Sequence, residues 1–329
     1  MTESISRMYP KIDFHAHYLS PGYQKYLAEK YHDVADGVKT PKWSVDDNLE
    51  WMQQLNIEYA ILSISSPHIN TGEKNSTIEL ASEVNEFASN FQSKYPGKLG
   101  FFASLPLPYI EESVQTIDKA INEQNAIGFT LPTNSQGLYI GDRRLDPVMK
   151  KLNEQNALVT IHPNEPNLLN PTVNKYTAPP LMEYFFDTTR TIVNMAENTI
   201  FSRYPKITWI IPHGGSLLPI IAQRIAIGRT VLGHESHKQD DILDVMNNMY
   251  FDTAGAILPY QLPTLLKMVD SNKILYGSDT PYTPTNAALA IGKDVDASLL
   301  LSESFKQNMY HSNGAKLLNS QWKREYLMV

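Results

Sequence analysis

Apolar residues gather along this chain in eight short runs, at residues 12–15, 59–65, 98–105, 126–131, 157–162, 207–213, 249–254 and 273–279. The runs are rich in Ile, Val, Phe, Leu and Tyr, which suit buried strands, and apolar positions repeat with helical spacing after each of them. Strand then helix, repeated eight times, is the pattern of βα units around a parallel sheet and predicts a (β/α)8 TIM barrel. Helices are expected over 45–55, 77–94, 110–123, 147–154, 181–203, 217–232, 259–269 and 296–310. Ser44 and the acidic pair Asp46 and Asp47 mark the start of the first. Two connections are longer than a barrel needs, 20–40 after the first strand and 163–180 after the fifth, the latter with five prolines. Loops of that length at the catalytic face are expected to wall or cover a pocket.

Composition narrows the reading. A barrel with loop insertions accounts for all 329 residues as one domain, 1–329, without a linker or low-complexity block. The apolar fraction of 42% and charged fraction of 19% are enough for a large core and too apolar for a disordered chain. A net charge of −7, with no basic cluster larger than Lys323-Arg324, argues against a nucleic-acid partner and leaves a small molecule. With no cysteine, disulfides, thiolate metal sites and cysteine nucleophiles are excluded. The polar start of the chain and the absence of any 18-residue apolar run lead us to expect a cytoplasmic protein without membrane contact.

The candidate chemistry sits at strand ends. His15 and His17 are two apart, so on a strand both imidazoles face the barrel mouth. A lone His-x-His is as readily a core pair. Here it ends the first run, His162 ends the fifth and Asp279 ends the eighth. Three imidazoles and a carboxylate suit one divalent metal ion, zinc first, with manganese, iron or cobalt also accommodated. His213 ends the sixth run before Gly214 and Gly215; a fifth ligand would crowd the open position, so it is read as orienting a water or substrate and shuttling a proton. The stretch Gly128 to Asn134 at the end of the fourth run offers no Lys or acid to bridge two metals, which favours one. His68, after the second strand, is read as an ordinary loop residue ahead of the alternative that it faces the pocket, His234 and His237 as solvated, and Asp252 as a hydrogen-bonding support.

These pieces resemble the amidohydrolase superfamily, and in it the metal-dependent decarboxylases typified by aminocarboxymuconate-semialdehyde decarboxylase and γ-resorcylate decarboxylase. The matching residues are Ile12 to His17, Ile161-His162-Pro163, Phe186 to Arg190, Arg203-Tyr204-Pro205, Pro212 to Gly215 and Tyr276 to Tyr282, in order along nearly the whole chain. The resemblance implies a distorted (β/α)8 barrel, one metal on His15, His17, His162 and Asp279 with His213 beside it, and a homodimer or higher homo-oligomer. It also points to Arg224 as a binder of the substrate carboxylate. Nine residues beyond Gly215, Arg224 stands over about 10 Å down its helix, better placed for a neighbouring subunit's site than its own. One departure is His15, where hydroxybenzoate decarboxylases often carry Glu; it leans toward the aminocarboxymuconate type.

Two reactions fit the residues. The leading reading is nonoxidative decarboxylation of a small unsaturated or aromatic carboxylic acid, with Asp279 or a water oriented by His213 delivering the proton. The alternative is hydrolysis of a lactone, amide or ester on the same metal, with Asp279 as base. Tyr176, Tyr184, Phe185 and Phe186 are candidates to line a flat pocket. A ligand-binding protein without catalysis is a third reading, disfavoured because every polar position is filled.

Overall fold

The structure, a computed structural model, describes residues 9–170, 172–232 and 238–322; His234, His237 and Lys323-Arg324 lie outside them. Eight strands, β1 (Lys11–His17), β2 (Ile57–Ser63), β3 (Leu99–Ser104), β4 (Gly128–Pro132), β5 (Leu158–His162), β6 (Thr208–Ile211), β7 (Tyr250–Asp252) and β8 (Ile274–Leu275), pair in sequence order, all parallel. A parallel bridge between Asp13 and Tyr276, with the Phe14 amide donating to the Tyr276 carbonyl at 2.9 Å, brings β8 back to β1. The fold is a distorted (β/α)8 barrel. All eight runs hold strands because each is apolar on both faces, one toward the barrel axis and one toward the helices.

Around the sheet run α1 (Pro21–Tyr31), α2 (Val45–Leu55), α3 (Lys74–Lys94), α4 (Ile110–Asn122), α5 (Asp146–Glu154), α6 (Glu183–Glu197), α7 (Ile200–Arg203), α8 (Leu218–Leu232), α9 (Ile242–Asn248), α10 (Gln261–Leu265), α11 (Thr285–Ala297), α12 (Glu303–Gln307) and α13 (Asn313–Trp322). The main core fills the layer between strands and helices. A second cluster, Ile12, Phe14, Tyr59, Ile61, Phe102, Leu158, Ile210 and Leu275, draws on six strands and packs against Leu317 and Leu318 of α13.

Strand β1 carries an irregularity that matters for the site. Asp13 pairs with Ala60 and Ala16 with Leu62, three steps of β1 against two of β2. The extra residue is a bulge, which re-aims the side chains that follow it. Phe14 therefore joins the inner apolar cluster although His15, the next residue, joins the polar one above it.

Several expected elements need correction. The connection 20–40 is not a bare loop: it holds α1, capped by Ser20 with Pro21 in its first turn, and a two-stranded ribbon, Val34–Ala35 against Val38–Lys39. The helix expected at 181–203 breaks at Thr199, whose φ of 57° is left-handed, into α6 and α7. The one expected at 259–269 shrinks to five residues. The segment 296–310 is no continuous helix: α11 ends at Ala297, and Ser302 caps a new start by accepting from the Phe305 amide at 3.2 Å.

Candidate active site

The five residues expected at strand ends meet at the carboxyl end of the barrel. His15, His17 and His162 offer ring nitrogens that all lie within 4.8 Å of one another, and His15, His213 and Asp279 form a second such group. Ring centroids are 5.0 Å apart for His15 and His17, 4.8 Å for His17 and His162, and 4.9 Å for His15 and His213. Arg224 is not among them. It lies in an outward groove between α6 and α8 with Val193, Ala196, Ile220 and Ile227.

Each inward ring is held from behind. His15 Nδ1 is 2.8 Å from Asp252 Oδ2, His17 Nδ1 is 3.3 Å from the Ser63 carbonyl, and His162 Nδ1 is 2.9 Å from the Pro163 carbonyl. Asp252 and the Pro163 carbonyl only accept, so they favour a proton on Nδ1 of His15 and His162; the Ser63 hydroxyl lies as near His17 Nδ1 as the Ser63 carbonyl, at 3.3 Å. Asp252 is itself fixed: its Oδ1 accepts from the amides of His213 at 3.0 Å and Ala254 at 3.1 Å. The Asp279 amide donates to the His15 carbonyl at 2.7 Å, and Thr283 Oγ1 donates to Asp279 Oδ2 at 3.0 Å. That leaves Asp279 Oδ1 facing His17 Nε2 at 3.2 Å and His15 Nε2 at 3.5 Å.

The electrostatics are those of a site waiting for a cation. Burial opposes ionisation of Asp279, yet hydrogen bonds from His15 and His17 and their charge hold its carboxyl well below the usual range. Burial likewise works against protonation of His15, but Asp252 and Asp279 outweigh it and raise its imidazole to about 10. Burial, aided by neighbouring imidazoles, lowers His17, sends His162 well below its ordinary value and brings His213 to about 4. His213 Nδ1 is buried with no hydrogen-bond partner, and His15 Nε2 has only Asp279 Oδ1 at 3.5 Å. A buried, unpaired ring nitrogen is costly unless something else satisfies it. Converging imidazole nitrogens, a carboxylate and the unpaired His213 Nδ1 together fit a divalent metal, which His15, His17, His162 and Asp279 could hold.

The surroundings hold residues that sequence reasoning passed over. His68, read as a loop residue, is buried with its ring 5.4 Å from that of His162, and burial lowers it to about 3. No periodicity flags it, because it follows the end of β2 in an irregular turn. Of the four aromatic candidates, Tyr184 is buried 6.3 Å from the His162 ring and Phe185 stacks on His213 at 5.8 Å. Tyr176 and Phe186 are exposed instead. The two long connections meet over the mouth: a Cβ on Gly37 would lie 3.2 Å from that of Ala178.

A barrel with a cluster of imidazoles and one carboxylate at the strand ends defines a class, the metal-dependent enzymes of this fold. The amidohydrolase family profile matches residues 12–319, and the chain belongs to that family. Decarboxylase macB of Penicillium terrestre is 31% identical over 295 residues, 83% of this chain and 85% of the relative. A solved structure described as amidohydrolase II is 41% identical, with a TM-score of 0.90 over 94% of this chain and 99% of the other. A dihydroxybenzoic acid decarboxylase from Polaromonas, solved with manganese and 2-nitroresorcinol, shares the fold at 19% identity, with a TM-score of 0.84 over 98% and 100%. The chain is an enzyme of the decarboxylase branch, a carboxy-lyase; the hydrolase alternative is not favoured.

Proposed function

We propose that the chain removes CO2 from a small aromatic carboxylic acid at one divalent metal held by His15, His17, His162 and Asp279. The observation that carries this reading is the convergence of ring nitrogens of His15, His17 and His162 within 4.8 Å of one another, with Asp279 Oδ1 3.2 Å from His17 Nε2 and 3.5 Å from His15 Nε2. The aromatic class draws on the Polaromonas neighbour and on Tyr184 and Phe185, whose rings flank the imidazoles. Zinc suits this donor set, and manganese, the ion bound by that neighbour, is the other candidate. When bound, the metal supplies Lewis-acid stabilisation of the substrate carboxylate and an adjacent oxygen.

The chain's own residues do the rest. The bond from the carboxylate to the ring carbon breaks, its electron pair stays on that carbon, and a proton replaces CO2 there. Asp279, ionised at rest, would take that proton up from solvent and pass it to the carbon, or a water held by His213 would supply it. Phe185 stacked on His213 and the buried Tyr184 keep bulk water from the carbon.

Arg224 is proposed to bind substrate carboxylate in the site of a second copy, in a homodimer or higher assembly. Its support is position: Ile220, Arg224, Ile227 and Val231 follow at helical steps on α8, and the three apolar members are exposed. Among the described residues no helix is long and apolar enough to cross a membrane. A cytoplasmic location fits the absence of cysteine.

Elemental analysis of the purified protein, followed by a CO2-release assay on hydroxybenzoates and carboxymuconates with the metal restored, tests the reading. About one metal per chain and CO2 release is the expected result. Metal without CO2 from any acid sinks the reaction, and no metal under any condition sinks the site.

A further inference from the structure

The ribbon in the first long connection turns at Asp36 and Gly37, both in the left-handed region at φ 51° and 74°, and its tip comes down on the barrel mouth. Asp36 Oδ2 accepts from Tyr184 Oη at 2.6 Å and takes a short hydrogen bond from Ser66 Oγ. Ser66 Oγ is also 2.7 Å from the amide oxygen of Asn164. A hydroxyl has one proton, so Ser66 can serve Asp36 or Asn164 but not both at once. Two donors, Ser66 and Tyr184, thus face the carboxylate and an amide oxygen, and no hydrogen bond among the described residues reaches Asp36 Oδ1. This corner has acceptors to spare and lacks donors.

The corner belongs to the substrate space. Tyr184, which holds Asp36, has its ring 6.3 Å from that of His162, and the Tyr282 ring lies 5.6 Å from that of His17. The local field is acidic. Glu165, in the second long connection, is raised by burial and then by the charges of Asp36 and Glu183.

We infer that Asp36 sets substrate choice: it accepts from a hydroxyl or amino group at the end of the acid remote from the reacting carboxylate, and it repels a second carboxylate there. This rests on the decarboxylase reading and narrows it to monocarboxylic acids with a remote donor. It runs against the aminocarboxymuconate type, a dicarboxylate, toward which His15 leans in the sequence.

The test uses the metal-loaded full chain and matched acids, dihydroxybenzoates against hydroxybenzenedicarboxylates that place the second group at the same ring position. Both kcat/KM for CO2 release and Kd by calorimetry are measured. The donor acids are expected to lead by about 10- to 100-fold, the range of a hydrogen bond to a charged group. Asp36→Asn is expected to shrink that lead about tenfold, chiefly through KM, while far-UV circular dichroism stays unchanged. Dicarboxylates bound or turned over as well as the donor acids, or a lead untouched in Asp36→Asn, overturns the inference. The wild-type comparison decides alone if the variant fails to fold. No CO2 from any acid with the Kd preference intact overturns the decarboxylase reading and leaves the selectivity standing.

Discussion

An imidazole can hold a metal on one nitrogen only when the other is occupied, and the backing partner then decides how firmly the ring is aimed. At His15 that partner is Asp252, at His17 and His162 it is a main-chain carbonyl. His213 differs, since its Nδ1 has no partner and its ring leans on Phe185. The two kinds of residue should therefore fail in opposite ways. His213→Asn is expected to lose at least about 100-fold in kcat, the scale of a lost acid-base group, with metal content by elemental analysis unchanged. Asp252→Asn should weaken metal affinity by about 10- to 100-fold and recover much of its rate in excess metal, as a positioning residue does. Loss of metal in His213→Asn would make it a ligand rather than a proton carrier. The residues of the proposed metal site could be picked out in the sequence because each ends a strongly apolar run, where side chains converge in this fold. Asp36 and His68 were not, because they sit on a ribbon tip and a turn, positions that only tertiary packing brings to the mouth.

At the scale of elements, the hydrophobic period located all eight strands, since each is buried on both sides. It failed where an element is short or only lightly buried. Helix α1 buries just Tyr23 and Leu27, four apart, and its clearest signal is the Ser20-Pro21 start; α9 is seven residues long. The β1 bulge was invisible for another reason, because it shows only as a register against β2. The turn from β6 into α8 carries the most consequence. His213, Gly214, Gly215 and Ser216 all have positive φ, and Gln261 Nε2 donates to the carbonyls of His213 and Ser216 to hold them. Gly215 has φ 77°, and a Cβ there would lie 3.0 Å from the Phe251 ring. Gly215→Ala should cost about 1–3 kcal/mol from the left-handed backbone and the crowded ring. A lower urea midpoint together with reduced kcat is the expected result; a full urea midpoint would show that the turn relaxes freely.

At the scale of the whole molecule, the described residues leave an apolar stripe exposed on α8. Ile220, Ile227 and Val231 are 66%, 59% and 76% exposed on α8, with Leu232 at 82% beside them. Arg224 is in the middle of that stripe, four residues after Ile220 and three before Ile227, and far from its own histidines in the groove beside α6. Exposed apolar rows of this kind mark interaction surfaces, and closed symmetry lets one patch serve both copies. If a second copy covers the stripe, the same contact carries Arg224 toward a neighbour's mouth, so assembly and carboxylate binding become one property. Two substitutions separate them. Ile227→Glu buries a charge in the contact and should shift the chain to monomer in analytical ultracentrifugation, with CO2 release falling in step because the arginine is withdrawn. Arg224→Ala should leave the assembly intact and raise KM by about 10- to 100-fold, the loss of a charged hydrogen bond to the acid. A monomeric Ile227→Glu with full activity would separate the stripe from catalysis and return Arg224 to the role of a surface residue.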